Sequence, residues 1–159
     1  INVQGDEPII NPKDILKIIN LSKKNSKIVL NGYTQISPKE AEIASLPKVI
    51  IDKNNYLVYM SRSLIPANFK NNKDKKYFKQ VCIYAYPRTI LRFFNNKKTP
   101  IEKSEDIEIL RLVENSVKVK MIKLSSESFS IDVINDFKKL KKLKGWTWLK
   151  IFILILKKN

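Results

Sequence analysis

The chain has 159 residues and a formal net charge of +16, with one cysteine, Cys82, and no histidine. These counts exclude an internal disulfide, a Ser-His-Asp triad, a Cys-His dyad and a histidine-ligated metal site. Hydrophobic residues make up 43% of the sequence and charged residues 29%, which is enough apolar content for a globular domain with a sizeable core.

The N-terminal half alternates short apolar segments with polar turns. Asn11 is a suitable helix cap and Pro12 suits the first helical position, so a helix is expected to begin there and to end near residues 23–25. The other predicted elements of this half are a strand end at residues 1–3, a short strand at 28–30, a β-hairpin of strands 49–52 and 56–61 whose turn lacks glycine, and an exposed loop at 66–79.

The C-terminal half continues the alternation of strands and helices. Its predicted elements are a strand at 80–86, helices at 88–94 and from Thr99-Pro100, a core-facing helix at 104–114, strands at 117–124 and 129–132, and a helix at 135–143. This order argues for an α/β sheet domain, which we expect to occupy residues 1–143.

Residues 144–159 form a separate tail that is hydrophobic and then basic. Its apolar run, Trp146 to Leu156, is about half the roughly 20 residues that a membrane-spanning helix needs, so no span is predicted. An interfacial anchor, a buried terminal helix and a non-native reading frame are the alternatives for this tail. Membrane contact through the tail is the less favoured of them.

The positive charge has two interpretations. A basic surface is typical of proteins that bind nucleic acid, but it is also produced by lysines that are merely solvated. Here the lysines are spread along the chain and accompanied by many Asn and Ile residues, as an AT-rich coding sequence tends to produce. We therefore expect no nucleic-acid partner, and the near absence of cysteine favours the cytoplasm.

The segment Asn2 to Pro8 is the most informative stretch for chemistry. It reads as a strand that ends in two adjacent carboxylates, Asp6 and Glu7, and Gly5 before them allows a ligand to approach the backbone closely. Ligands of open α/β sheets sit beyond the carboxyl ends of strands, and carboxylates there suit Mg²⁺. The alternative is a polar turn whose acidic residues face water.

Two further residues follow predicted strands. Asp132 ends a short strand and could share a metal with Asp6, or it could simply cap the next helix. Arg62 follows the second hairpin strand, where a guanidinium in a cleft can hold a carboxylate or phosphate with two hydrogen bonds. The alternative for Arg62 is an exposed loop position.

Aromatic and acidic residues of the second half are the remaining candidates. Tyr84 and Tyr86 are two apart on a strand and share one face, where they either pack in the core or line a sugar pocket. Glu108 and Arg111 are three apart on a predicted helix and either pair with each other or leave Glu108 facing a polar cleft.

Five segments occur in the order found in the 3-deoxy-manno-octulosonate (Kdo) cytidylyltransferases. Residues 2–8 match their N-V-Q-G-D-E-P segment, and the other four resemble their Y-F-S-R-x-x-I-P, G-I-Y-x-Y, P-L-E-x-x-E-x-L-E-Q-L-R and V-D-T-P-E-D-L segments at residues 59–66, 82–86, 100–111 and 131–137. The resemblance covers about residues 1–143, and the ordered set is far more specific than any one member.

The resemblance implies a Rossmann-like nucleotidyltransferase sheet with flanking helices and transfer of CMP from CTP to a 3-deoxy-2-ulosonic acid, with release of pyrophosphate. It implies Mg²⁺ held by the catalytic residues Asp6 and Asp132. It also implies a cytoplasmic homodimer that serves the synthesis of lipopolysaccharide or a related surface glycan. The implied substrate-binding residues are Gln4, Gly5, Arg62, Gln80, Tyr84 and Glu108.

The chain also departs from the pattern of this family. The basic loop that holds the triphosphate, and the strands around it, would precede Ile1, so we expect the chain to be a fragment of the enzyme. Gln80 stands where a histidine is common, Cys82 where glycine is, and Ile109 where glutamine is. An acid related to Kdo is therefore an alternative substrate, and a non-catalytic dimerisation or interaction module is the alternative function.

Overall fold

A computed structural model of the chain describes residues 1–5, 7, 10–70, 72, 74–95 and 97–125. The strand predicted at 129–132, the helix predicted at 135–143 and the 144–159 tail lie outside the described residues. Within the described part, no helix combines the length and the apolar character that crossing a membrane requires.

Six strands form one sheet in the order β4-β3-β5-β2-β6, with β1 paired to β5 as well. The pairing of β2 with β6 is parallel and the other pairings are antiparallel, so the sheet is mixed. The alternation of strands and helices thus gives the predicted α/β fold. The strands are β1 Asn2–Val3, β2 Val29–Ile36, β3 Lys48–Ile51, β4 Leu57–Ser61, β5 Tyr77–Ala85 and β6 Val119–Lys123.

Helices flank this sheet. They are α1 Pro12–Lys24, α2 Pro38–Ala41, α3 Pro100–Glu105, α4 Leu110–Glu114 and a 3₁₀ helix at Arg88–Asn95. The start of α1 is confirmed: the Asn11 side chain accepts a hydrogen bond of 3.0 Å from the backbone N–H of Lys13, and Pro12 takes the first position. The fully buried Ile18 anchors α1 to a cluster that contains Leu30, Val81, Ile83, Ala85 and Leu124.

The opposite face of the sheet carries the larger core, which α4 and the segment before it complete. Ile109, Leu110 and Leu112 are at most 1% exposed there and pack with strand residues such as Met60 and Val119. Alternate residues of β5 divide between the two faces, because successive side chains of a strand point to opposite sides. Val81, Ile83 and Ala85 face α1, whereas Gln80, Cys82 and Tyr84 line a cleft on the other face.

The predicted hairpin is confirmed as β3 and β4. Its turn works without glycine because the Asp52 carboxylate accepts hydrogen bonds from the backbone N–H groups of Asn54 at 2.8 Å and Tyr56 at 2.7 Å. Asn55 takes the positive φ of 59°, which asparagine tolerates better than most residues.

Three sequence predictions of local structure are wrong in extent. The strand predicted at 28–30 continues to Ile36 as β2, and β5 already begins at Tyr77, so the last residues of the predicted 66–79 loop are sheet. The helix predicted to start at Thr99-Pro100 is confirmed as α3, but the helix predicted at 104–114 begins only at Leu110, as α4. The chain breaks at Asp106, which adopts the left-handed conformation with φ 50° and ψ 48°. Apolar spacing continues through the break, which explains why the pattern hides it.

A bulge in the centre of the sheet makes one glycine necessary. The register between β2 and β5 shifts between Asn31 and Gly32. A Cβ atom on Gly32 would lie 2.4 Å from Leu124 Cδ1, so that Leu124 would have to move, and 3.3 Å from Val81 Cβ, which is a tight contact.

We predict that Gly32→Ala lowers the free energy of unfolding by about 1–3 kcal/mol through overpacking of Leu124. Urea unfolding followed by far-UV circular dichroism measures the loss. Gly5→Ala is the matched control, because a Cβ atom on Gly5 meets nothing within 4 Å. Equal stability of the two variants would contradict this account of the bulge.

Candidate active-site cleft

A cleft opens where two strands share one edge of β5. The end of β1 pairs at residues 82–84, with a hydrogen bond of 3.1 Å from Gln4 N to the Cys82 carbonyl, and β3 begins near residue 80, where Gln80 N donates to the Pro47 carbonyl at 2.9 Å. Between Cys82 and Gln80, the neighbour of β5 along this edge changes from the end of β1 to the start of β3. The resulting cleft has a volume of about 320 Å³ and is lined by Gln4, Glu7, Ser45, Leu46, Pro47, Arg62, Gln80, Cys82, Tyr84, Lys98, Glu102, Asp106, Ile107, Glu108 and Arg111.

The structure brings five of the predicted substrate-binding residues to this one cleft: Gln4, Arg62, Gln80, Tyr84 and Glu108. Gly5 follows Gln4 at an exposed turn and has open space where a Cβ atom would be. Asp6 and Asp132, the predicted metal ligands, lie outside the described residues. The roles of all these residues stay predictions. The five lining residues do share one cleft, as residues of a common site must.

Arg62 is held in the cleft by backbone oxygens. Its Nε donates to the Glu105 carbonyl at 2.9 Å and its Nη2 to the Asp106 carbonyl at 3.1 Å, while Nη1 reaches the Ser45 carbonyl at 3.4 Å. Two of these carbonyls are free because α3 ends at Glu105, and the last carbonyls of a helix have no partner within it. The guanidinium therefore caps α3 and is fixed in direction, and its bonds within the described part of the chain are to carbonyl oxygens.

Glu105 also fixes the backbone that carries Arg62. Its carboxylate accepts hydrogen bonds from Arg62 N at 2.9 Å, from the Ser61 hydroxyl at 2.8 Å and from the Tyr59 hydroxyl at 3.2 Å. Burial alone would raise the pKa of Glu105, but these three donors outweigh it and lower the pKa below its ordinary value. The sequence analysis did not identify this residue, since its role depends on the helix break that follows it.

Lys48 is a buried charged residue that bonds to the backbone of Arg62. Its ammonium is fully buried and donates to the backbone carbonyls of Ile43, at 2.9 Å, and of Arg62. Burial lowers the pKa of Lys48, and the positive charge of Arg62 lowers it further. The chain after β4 is thus tied to the sheet by Lys48 and to α3 by Glu105.

The wall opposite β5 contains a buried ion pair. Arg111 Nε and Nη2 each lie 2.7 Å from one oxygen of the Glu102 carboxylate, and Arg111 Nη1 donates to the Phe93 carbonyl at 3.2 Å. Hydrogen bonding by Arg111 lowers the pKa of Glu102 despite its burial. Of the two alternatives for Glu108, the structure supports the cleft: Arg111 forms its ion pair with Glu102, and Glu108 lies in the turn between α3 and α4 and lines the cleft.

Tyr84 and Tyr86 share a face, as predicted, and their rings stack with centroids 5.5 Å apart. Tyr86 also meets Phe94 edge to face at 5.2 Å. Burial raises the pKa of both tyrosine hydroxyls, so both stay protonated at neutral pH. Tyr84 is a core residue and a cleft residue at once, because the cleft lies directly on β5.

Magnesium fits the chemistry of the two predicted ligands, since Mg²⁺ prefers carboxylate oxygens together with phosphates. Among the described residues, no cluster of three or more Asp, Glu or Cys side chains is placed to hold a metal ion. Glu7 contributes a carboxylate to the cleft, but it is 5% exposed and accepts a hydrogen bond from Cys82 N at 3.3 Å.

Similarity to known proteins identifies the family of the chain. The model of the cytidylyltransferase family matches residues 1–122. The chain belongs to this family. A 3-deoxy-manno-octulosonate cytidylyltransferase of Fusobacterium nucleatum is 35% identical to this cytidylyltransferase chain over 135 residues, which are 83% of the chain and 55% of the relative.

More distant relatives give the same result. The mitochondrial 3-deoxy-manno-octulosonate cytidylyltransferase of Arabidopsis thaliana is 31% identical over 147 residues, which cover 90% of this cytidylyltransferase chain and 51% of the relative. A solved CMP-2-keto-3-deoxy-manno-octonic acid synthetase in complex with CTP superposes with a TM-score of 0.78 and 28% identity, over 87% of this chain and 58% of that one. The chain thus spans about half the length of the relatives it matches.

We predict that Arg111→Met in this cytidylyltransferase chain lowers the free energy of unfolding at pH 7 by about 3–5 kcal/mol, because it leaves the Glu102 carboxylate buried without its partner. The pKa of Glu102 in the intact fold lies below its ordinary value of 4.5, so the stabilisation by the pair is complete above that pH and is lost as the pH falls through the lowered pKa. In the variant, acid instead relieves the unpaired carboxylate by protonating it. The difference in free energy of unfolding between the wild type and Arg111→Met should therefore shrink with falling pH.

Urea unfolding at pH 7 and at acidic pH tests this prediction. Lys98→Met is the control, because it breaks an ion pair with Asp106 whose side chains are 54% and 73% exposed, and such pairs contribute little. A deficit for Arg111→Met that does not change with pH would argue against an uncompensated Glu102.

Proposed function

We propose that the protein transfers CMP from CTP to Kdo or a closely related 3-deoxy-2-ulosonic acid and releases pyrophosphate. The observation that carries this proposal is the set of hydrogen-bond partners of the Arg62 guanidinium. Among the cleft-lining cations whose bonds are given above, Arg111 is paired with Glu102 and Lys98 with Asp106, whereas the guanidinium of Arg62 bonds to backbone carbonyls. A guanidinium held in this way attracts an anion from solution.

The rest of the cleft suits the other end of such a substrate. Gln4, Gln80 and Glu108 offer amide and carboxylate groups that can bond to sugar hydroxyls, and Tyr84 supplies an aromatic surface. A volume of about 320 Å³ lies at the lower end of the range of small-molecule sites. We therefore assign the carboxylate of the sugar acid to Arg62 and its polyol hydroxyls to the β5 side of the cleft.

The reaction joins the anomeric oxygen of the sugar to the α-phosphorus of CTP. The bond from that phosphorus to the bridging oxygen breaks, its electron pair leaves with pyrophosphate, and the proton of the anomeric hydroxyl passes to solvent. Residues that hold the sugar acid lower the barrier by positioning this oxygen, since fixed orientation is a large part of catalysis in phosphoryl-type transfer. Mg²⁺ bound to Asp6 and Asp132 would neutralise the triphosphate.

The nucleotide and the biological setting are proposed from the relatives. The solved relative is in complex with CTP, and the named function of the curated relatives is transfer to 3-deoxy-manno-octulosonate. We extend both substrates to this protein. A homodimer, a cytoplasmic location and a role in lipopolysaccharide or related glycan synthesis complete the proposal.

Pyrophosphate release by the protein in its full-length natural form tests this function. With Mg²⁺ present, we expect release with CTP and Kdo, much less with ATP, GTP or UTP, and none after chelation of the metal. An Asp6→Asn variant should lose the Mg²⁺-dependent turnover. No release with CTP and any of a panel of 3-deoxy-2-ulosonic acids would contradict the proposal and favour an interaction module derived from such an enzyme.

A further inference from the structure

A buried amide pair lies under the floor of the cleft, where β2 meets β5. Asn31 is 0% exposed, and its Nδ2 donates to two carbonyls of β5, those of Val81 at 3.1 Å and Ile83 at 3.0 Å. Its Oδ1 accepts a hydrogen bond of 3.1 Å from Gln80 Nε2. The bulge creates this arrangement, because the register skips from the Asn31–Tyr84 pair to the Gly32–Val81 pair and leaves β5 carbonyls without a β2 partner.

The donors and acceptors of this pair allow only one orientation of each amide. Two carbonyl oxygens face one terminal atom of Asn31, and that atom must be the NH₂ group, because an oxygen there would meet two other acceptors. The other terminal atom of Asn31 is then an acceptor, so the Gln80 atom that faces it must be nitrogen. The orientation of Gln80 is thus determined by the β5 backbone through Asn31.

The remaining terminal atom of Gln80, its carbonyl Oε1, is left for a ligand. Within the described part of the chain, the one fully buried side-chain oxygen or nitrogen without a hydrogen bond is Thr99 Oγ1, so Gln80 Oε1 either has a partner or keeps contact with solvent. No described residue donates to it. Gln80 is 5% exposed and lines the cleft, so the opening next to Oε1 is the cleft itself.

We propose that Asn31 is a positioning residue that holds Gln80 as a fixed hydrogen-bond acceptor at the cleft floor, where it selects a hydroxyl of the bound sugar acid. This inference rests on the proposed function for the identity of the ligand, and on the amide pair alone for the orientation. A free glutamine would present its carbonyl or its NH₂ group, whereas this one presents only the carbonyl. The floor therefore favours ligands that carry a hydroxyl there over deoxy analogues.

The orientation is tested without a ligand by NMR of the side-chain amides. The Gln80 Nε2 signals are assigned from their loss in Gln80→Met. In the wild-type chain without ligand, we expect the Gln80 amide to be rigid and protected from exchange with water, and Asn31→Ala should make it mobile. A mobile Gln80 amide in the wild type would overturn the proposal, even if Asn31→Ala did not fold.

The consequence for the ligand is tested by a double-mutant cycle with Kdo affinity as the readout. Gln80→Met should weaken Kdo binding about three- to tenfold, as expected for one neutral hydrogen bond, with CTP affinity unchanged. Asn31→Ala should weaken Kdo binding in the wild-type background and have little further effect in Gln80→Met. Gln35→Met, the same chemical change at an exposed position of β2 away from the cleft, is the matched control.

The outcomes separate this inference from the proposed function. If Asn31→Ala weakens Kdo binding equally in both backgrounds, Asn31 acts only on the fold and the positioning role is contradicted. If Kdo does not bind although the Gln80 amide is rigid, the proposed substrate is wrong and the assignment of a sugar hydroxyl to Gln80 is wrong with it.

Discussion

The capping of α3 by the Arg62 guanidinium is the interaction on which the cleft depends. The helix ends at Glu105, and the carbonyls of Glu105 and of the following Asp106 turn toward Arg62 instead of continuing a helical ladder. The Glu105 carboxylate holds the backbone of Arg62 from the same side, and Lys48 holds the Arg62 carbonyl from the sheet. A mobile arginine would lose side-chain entropy on binding an anion, whereas one fixed in advance binds at a smaller entropic cost.

The division of charge around the cleft follows from this arrangement. Arg111 and Glu102 neutralise each other in a buried pair that attaches α4 to α3, so they contribute structure more than an attractive field. Carbonyl oxygens stabilise the Arg62 charge without cancelling it. The nearby carboxylate of Glu105 bonds to the backbone N–H of Arg62, so the described hydrogen bonds of the guanidinium are all to carbonyls. Under the proposed function, this surface would discriminate between acidic and neutral sugars.

Periodicity and caps in the sequence predicted the elements that local rules control. The Asn11-Pro12 start of α1, the hairpin of β3 and β4, and the shared face of Tyr84 and Tyr86 are all confirmed. The prediction failed where tertiary contacts override local pattern. Apolar spacing runs through the break at Asp106. The break itself is explained by the hydrogen bonds of Arg62 to the carbonyls of Glu105 and Asp106. Glu105, Lys48 and Asn31 were missed because each has a partner that is distant in sequence, from 14 to 52 residues away along the chain.

The central claim is that Arg62 binds the carboxylate of a sugar acid. Calorimetric titration of the protein with Kdo and with its neutral C1 amide tests this claim most directly, because the two ligands differ only at the group assigned to Arg62. The account predicts that the amide binds at least about tenfold more weakly than Kdo to the wild type, the loss expected for a charged hydrogen-bonded pair. It also predicts that the two ligands bind alike to Arg62→Ala. Equal affinity of the wild type for both ligands would contradict the account.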